Sequence, residues 1–143
     1  MASAGELHSV LLRSDGYAVA LGQNVSGQCD IPDLDEGISY TQVSAGLTHT
    51  VLLRSDGRVV SCGSNRHKRC NVPVLAEGMS YTYVAAGFHH SVLLRSDGAA
   101  RVCGDNLYGQ CDVPPLGQGL SYTQVSAGFS HTVLLRSDGT AVA

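Results

Sequence analysis

His8-Ser9-Val10-Leu11-Leu12-Arg13-Ser14-Asp15-Gly16 is a phrase that the chain spells four times, returning at residues 49–57, 90–98 and 131–139 with Ser or Thr in second place. The leading histidines, His8, His49, His90 and His131, stand 41 residues apart. A fixed period of about 20–50 residues marks a repeat architecture. Within the phrase, Val-Leu-Leu is apolar on both faces of an extended strand, whereas a strand with one wet face alternates. Asp-Gly then closes a turn, because Asp caps its own backbone and Gly takes positive φ. The phrase therefore predicts the inner strand of a layered unit, covered on both sides and followed by a hairpin. Each leucine buried there contributes about 1.5–3 kcal/mol.

Working outward, one unit divides into four strands. Tyr81–Ala86 is rich in β-formers and stops at Gly87; His90–Arg95 is the second strand; residues 99–103 are the third. A turn over residues 105–109 leads to a short fourth strand at residues 110–113, ended by Pro114-Pro115. No segment shows a 3.6-residue apolar period, so helix is not expected. Four strands in 41 residues fit a propeller blade. The expected fold is all-β, a β-propeller of four-stranded antiparallel blades. Units run over residues 3–43, 44–84 and 85–125, with a partial unit at 126–143, in one repeat domain covering residues 1–143.

That is about three and a half blades, while a closed propeller has about four to eight. Three resolutions stand open. The chain is a fragment of a larger propeller; or two copies form a homodimer closing a seven-bladed ring; or it is a stable open arc. The fragment is the first expectation and the dimer the second.

Composition bounds the function. The chain has 143 residues, 43% hydrophobic and only 15% charged, with 17 glycines, which suits short strands and tight turns. A net charge of −3 gives no general attraction to nucleic acid or to an anionic membrane. No apolar run approaches the roughly 18 residues that cross a bilayer. Residues 1–5 lack the basic and apolar regions of a signal peptide. Five cysteines, Cys29, Cys62, Cys70, Cys103 and Cys111, follow the repeat and lack zinc-site spacing. They read as reduced, buried apolar fillers, which points to a cytoplasmic or nuclear setting. No phosphate loop, nucleophile elbow or paired-histidine metal motif is present, so neither catalysis nor a cofactor is expected.

The arrangement Gly87-Phe88-His89-His90-Ser91, then Asp97-Gly98, then Gly104-Asp105-Asn106-Leu107-Tyr108-Gly109-Gln110 resembles the repeat of the regulator of chromosome condensation superfamily. The likeness covers nearly the whole chain in four in-phase copies. It implies a propeller, usually seven-bladed, that serves mainly as a binding platform. Members include an exchange factor for a small nuclear GTPase, a plant UV-B photoreceptor and HECT-type ubiquitin ligases. The family's usual Trp before the Gly-x-Asn segment is replaced by Leu21, Cys62 and Cys103, and the chain has no tryptophan. UV-B sensing through tryptophans is therefore excluded for these residues. The repeats fill the chain and leave no room in it for a ligase domain.

Residues identical in every unit serve the fold. The histidines are expected to be structural, hydrogen-bonded across a turn. Arg13, Arg54, Arg95 and Arg136 are expected to pair locally with the Asp two residues on. Function is expected where units differ: at the two residues after each Ser/Ala-Ala-Gly, and at Arg66-His67-Lys68-Arg69. That stretch replaces Val25-Ser26-Gly27-Gln28 and Leu107-Tyr108-Gly109-Gln110 and loses the turn glycine. With Arg58 it forms the candidate partner-binding loop, suited to an acidic protein partner or a phosphate. The leading expectation is a non-catalytic protein-interaction scaffold. The alternative is a regulatory module of an enzyme system, for nucleotide exchange on a small GTPase or substrate recruitment to a HECT-type ubiquitin ligase.

Overall fold

Each repeat folds as three strands because only three of its segments have amides free to ladder. The computed structural model describes all residues, Met1–Ala143. The strands are β1 (Ala2–Ala4), β2 (His8–Leu12), β3 (Ala18–Gly22), β4 (Tyr40–Ala45), β5 (His49–Arg54), β6 (Val59–Gly63), β7 (Tyr81–Ala86), β8 (His90–Arg95), β9 (Ala100–Gly104), β10 (Tyr122–Ala127), β11 (Thr132–Arg136) and β12 (Ala141–Val142). They form four antiparallel three-stranded sheets, ordered β1-β2-β3, β4-β5-β6, β7-β8-β9 and β10-β11-β12. The all-β propeller architecture is as expected, with four corrections to its detail.

First, residues 110–113 are not a strand. Their amides turn back on the segment: Asp112 N donates to Gly109 O, Val113 N to Cys111 O, and Cys111 N to the Asn106 side chain. No ladder forms between this segment and β9. Second, the partial last unit already forms a three-stranded sheet, with a third strand of only two residues, so four sheets make up the arc of about three and a half units. Third, the Val-Leu-Leu strand is the middle strand of each blade. Its burial on both faces is as expected, since Val51, Leu52, Val92 and Leu93 are fully covered. The strands that approach one another at the axis are β1, β4, β7 and β10, where a depression is lined by Ser3, Ser44, Ala85 and Ser126.

Fourth, the histidines bond to the next blade rather than across a turn. His8 Nε2 lies 2.8 Å from Thr50 Oγ1, His49 Nε2 3.0 Å from Ser91 Oγ, and His90 Nε2 3.0 Å from Thr132 Oγ1. Each of these hydroxyls donates its single hydrogen to a backbone carbonyl, of Gln28, Arg69 and Gln110 respectively. The histidine must therefore donate from Nε2, which leaves Nδ1 without a proton. The Gly before each histidine is required by the same clasp. A Cβ on Gly46 would lie 2.5 Å from Gly87 O and 2.4 Å from the His49 ring. Apolar clusters fill each junction; Val10, Tyr40, Val43, Ala45 and Leu52 join the first two blades.

The remaining shared residues tie down loops. Tyr40, Tyr81 and Tyr122 donate their hydroxyls to the carbonyls of Pro32, Pro73 and Pro114. Arg13, Arg54 and Arg95 pair with Asp15, Asp56 and Asp97 as expected, each partly or fully in water and worth under about 1 kcal/mol. The five cysteines are free thiols, but half-buried rather than buried. Burial still pushes the Cys62 thiol up to about 11 and that of Cys103 to about 12, so neither is a nucleophile at neutral pH. No helix is long and apolar enough to cross a membrane.

Candidate functional site

The loop after the third strand is pinned by its asparagine in each of the three units that contain it. In the second unit Asn65 Oδ1 accepts from Cys70 N at 2.9 Å, and Asn65 Nδ2 donates to Asn71 Oδ1 at 2.8 Å. The same staple fixes Asn24 and Asn106. Between the staples the units diverge. Gly27 and Gly109 turn the loop at φ 77° and 79°. Lys68 takes that place at φ 62°, preceded by His67 at φ 58°. Two successive side-chain-bearing residues in the left-handed region are costly, about 1–3 kcal/mol each. Lys68→Gly is accordingly expected to raise stability by about 1 kcal/mol after the entropy cost of glycine. A urea melt reads this, and an unchanged midpoint would show that the lysine turn carries no strain.

Arg69 replaces Gln28 and Gln110, whose side chains accept from the loop amides of Ser26 and Tyr108. Arg69 is as buried as those glutamines, at 2% exposed, but a guanidinium cannot accept, so it donates to other partners. Its Nε donates to Ser64 O at 2.8 Å, Nη2 to Thr48 Oγ1 at 2.8 Å, and Nη1 to Phe88 O at 3.3 Å and His89 Nδ1 at 2.7 Å. No carboxylate pairs with it. The charge is held by carbonyls, a hydroxyl and an imidazole from two adjacent blades. His89 must be neutral to accept, and burial together with the Arg69 charge lowers its pKa.

The inward turn of Arg69 places an aromatic run beside the loop. The His67 and His89 rings are 5.5 Å apart, Phe88 meets His89 edge-on at 4.7 Å, and Phe88 stacks on Phe129 at 3.9 Å. Phe129 is 60% exposed. His67 Nδ1 lies 3.9 Å from Asp105 Oδ1. Arg66 and Lys68 point into solvent with no carboxylate within salt-bridge distance. One rim thus carries two free cations, then an aromatic strip running from the second blade to the fourth. Beside the strip lies a depression of about 190 Å³ floored by Gly46, Gly87 and Gly128.

Of the residues singled out in the sequence, the structure gathers Arg66, His67 and Lys68 with Phe88, His89 and Phe129 on this rim. Arg69 supports it from beneath rather than facing a partner. Arg58 does not join it: β6 runs between Arg58 and the loop, and Arg58 lies at the other end of the blade, 4.0 Å from Asp56. The Arg69–His89 bond was not anticipated. Its signal was present, because Arg69 and His89 are each the departure of their own unit at positions that meet across one junction.

The family described as regulator of chromosome condensation (RCC1) repeat matches residues 40–69 and 81–110. Among solved structures, human WBSCR16 superposes with a TM-score of 0.85 at 21% identity, over 98% of this chain and 46% of that one. Prp20p from Saccharomyces cerevisiae gives 0.83 at 21% identity, over 99% of this chain and 44% of that one. The chain thus spans less than half the length of these neighbours, and at this identity they share its fold. No curated protein sequence matches the chain significantly.

Proposed function

We propose that this chain, a regulator of chromosome condensation repeat protein, is a non-catalytic protein-interaction scaffold whose rim takes an acidic, aromatic-bearing segment of another protein. The observation that carries this reading is the strained loop presenting Arg66 and Lys68, both unpaired, near the exposed Phe129 ring stacked on a half-buried Phe88. Strain of this kind persists where the surroundings hold it, and it clusters at sites that act on partners. Free cations at a rim steer and orient an acidic ligand, while an exposed aromatic provides the apolar anchor. Yeast Prp20p, similar in fold, is described by its binding to Gsp1p and histones, which supports a protein as the class of partner. A cytoplasmic or nuclear location accords with this reading.

The test uses fluorescent synthetic peptides: one Glu-rich with a central Phe, one Glu-rich without it, and one Lys-rich with Phe. The first is expected to bind best and to weaken with salt. Arg66→Glu/Lys68→Glu is expected to weaken it at least tenfold, about 1.4 kcal/mol or more. Phe129→Ala is expected to erase the preference for Phe. Equal binding by the double variant and the wild type would overturn the reading. The alternative is a regulatory module that assists nucleotide exchange on a small GTPase or recruits substrates to a HECT-type ligase. Faster nucleotide release from a small GTPase in the presence of the chain would replace the scaffold reading.

A further inference from the structure

Arg69 is a buried cation with no carboxylate beside it, and one of its bonds goes to a group that can itself become a cation. Three of its acceptors, Ser64 O, Phe88 O and Thr48 Oγ1, remain acceptors at any ordinary pH. The fourth is His89 Nδ1, 2.7 Å from Nη1. Arginine keeps its charge throughout the physiological range, so the hydrogen in this bond belongs to Arg69. Nδ1 must therefore offer a lone pair, which requires a neutral imidazole with its hydrogen on Nε2. Once His89 takes a second proton, two donors and two positive charges face each other in place of the bond.

The surroundings of His89 do not offset that clash. Arg69 and His67 face it from the loop after β6, the His67 ring 5.5 Å away. Phe88 meets it edge-on, His90 follows it on β8 bonded to Thr132, and His49 on β5 lies near both it and Arg69. The one carboxylate is that of Asp105, just beyond β9, whose amide donates to His89 O at 3.0 Å. Its oxygens already accept from Leu107 N at 3.3 Å and Gln110 Nε2 at 3.2 Å, and His67 Nδ1 is 3.9 Å away. Burial, then the Arg69 charge, then His67 push the His89 pKa below its ordinary 6.5, with Asp105 opposing them. The loop depends on this bond as its neighbours do not. Gln28 and Gln110 hold their loops by accepting from Ser26 N and Tyr108 N, and neither bonds a histidine. In the second unit Arg69 instead ties the turn at His67 and Lys68, both at positive φ, to the third blade.

We propose that the Arg69–His89 bond is an acid-sensitive latch, which at neutral pH fixes residues 66–69 in the turn that presents Arg66 and Lys68 and in mild acid releases that loop. The sign follows from linkage. Latched His89 binds a proton more weakly than freed His89, so the latched loop is favoured fully above the freed value of 6.5 and loses ground as pH falls below it. At about pH 5.5 a freed histidine is protonated about tenfold over neutral, so the open fraction rises by up to about tenfold relative to about pH 7.5. The rim is thus ordered at neutral pH and loosened in acid. The latch belongs to the loop's own bonds and holds whichever partner the rim takes, so its test needs no ligand.

Amide hydrogen exchange reads the latch at Cys70 and Asn71, whose amides donate within the loop to Asn65 Oδ1 and Lys68 O. Their protection, corrected for the intrinsic pH dependence of exchange, is expected to fall by up to about tenfold from about pH 7.5 to about pH 5.5. The equivalent amides of Cys29, Asp30, Cys111 and Asp112, in loops that a glutamine holds, are expected to keep theirs, which separates local release from a general loss of stability. His89→Gln supplies Arg69 with an acceptor that does not titrate. It is expected to keep the protection at about pH 7.5 and to abolish the fall. Arg69→Gln installs the residue of the other two loops, leaves His89 facing no guanidinium and is expected to abolish the fall as well. Protection at Cys70 and Asn71 that does not change with pH would overturn the latch. So would an equal fall in all three loops, or a fall that persists in both variants.

Discussion

Leu53→Asp is expected to leave the chain unable to reach its native state. Leu53 is 4% exposed and lies in the cluster with Val51, Tyr81, Val84 and Leu93 that joins the second blade to the third. The substitution removes a buried apolar side chain worth about 1.5–3 kcal/mol. It also places a carboxylate in a cluster of apolar side chains, and an unpaired buried charge adds several kcal/mol more. Domains of this kind have about 5–15 kcal/mol of total stability. The junction also holds the two halves of the arc together, so its loss uncouples β4–β6 from β7–β9. Leu53→Ala calibrates the effect: it is expected to cost about 2–5 kcal/mol and still fold. Circular dichroism and thermal melts check both. A soluble Leu53→Asp chain with an unchanged melting temperature would contradict this packing.

The strands at Tyr81–Ala86 and His90–Arg95 were legible to the residue. Their signals are local: β-formers between glycines, and an Asp-Gly turn whose Asp97 carboxylate accepts from Ala99 N. The missing fourth strand was not legible, because residues 110–113 have strand-like composition and only their hydrogen bonds reveal a turn. Burial on both faces likewise did not identify the innermost strand, since a middle strand between two blades is covered equally well. The better signal was the Ser44-Ala45-Gly46 run, whose small side chains let backbones approach at the axis.

The rim was legible in part for a related reason. The loss of the turn glycine at Lys68 and the added charges marked the loop. The inward path of Arg69 depends on His89, 20 residues away in the next unit, and a reading confined to one unit does not connect them. Arg58 was grouped with the loop by nearness in sequence, yet a five-residue strand separates the two ends of the blade. In a propeller, residues one strand apart lie on opposite rims, whereas residues about half a repeat apart meet across a junction.

The histidine clasps make the fold acid-sensitive in a definite direction. His49 is fully buried and neutral; desolvation, with the Arg69 charge beside it, lowers its pKa from 6.5 to about 3. His8 and His90 are shifted the same way by burial. Between about pH 6.5 and pH 3 the unfolded chain holds a proton on His49 that the folded chain lacks. Stability therefore rises with pH through that window and is lost as pH falls below 6.5. Each pH unit in the window is worth about 1.4 kcal/mol per such histidine, so moving to pH 5 costs about 2 kcal/mol through His49 alone. His8 and His90 add to the loss. At about 2–4 °C per kcal/mol for a chain of this size, the melting temperature is expected to fall by at least about 4 °C between pH 7 and pH 5. Asp138 does not confuse the reading: the Thr140 hydroxyl and amide hold its carboxyl below 3.8, so its contribution is lost only in stronger acid. His49→Gln separates the clasp from the rest. Its amide can still donate to Ser91 but cannot titrate, so the variant is expected to be less stable at pH 7 and to lose less on acidification. A melting temperature that stays level from pH 7 to pH 5, or a slope that His49→Gln leaves unchanged, would show that the clasps do not carry the neutral histidines described here.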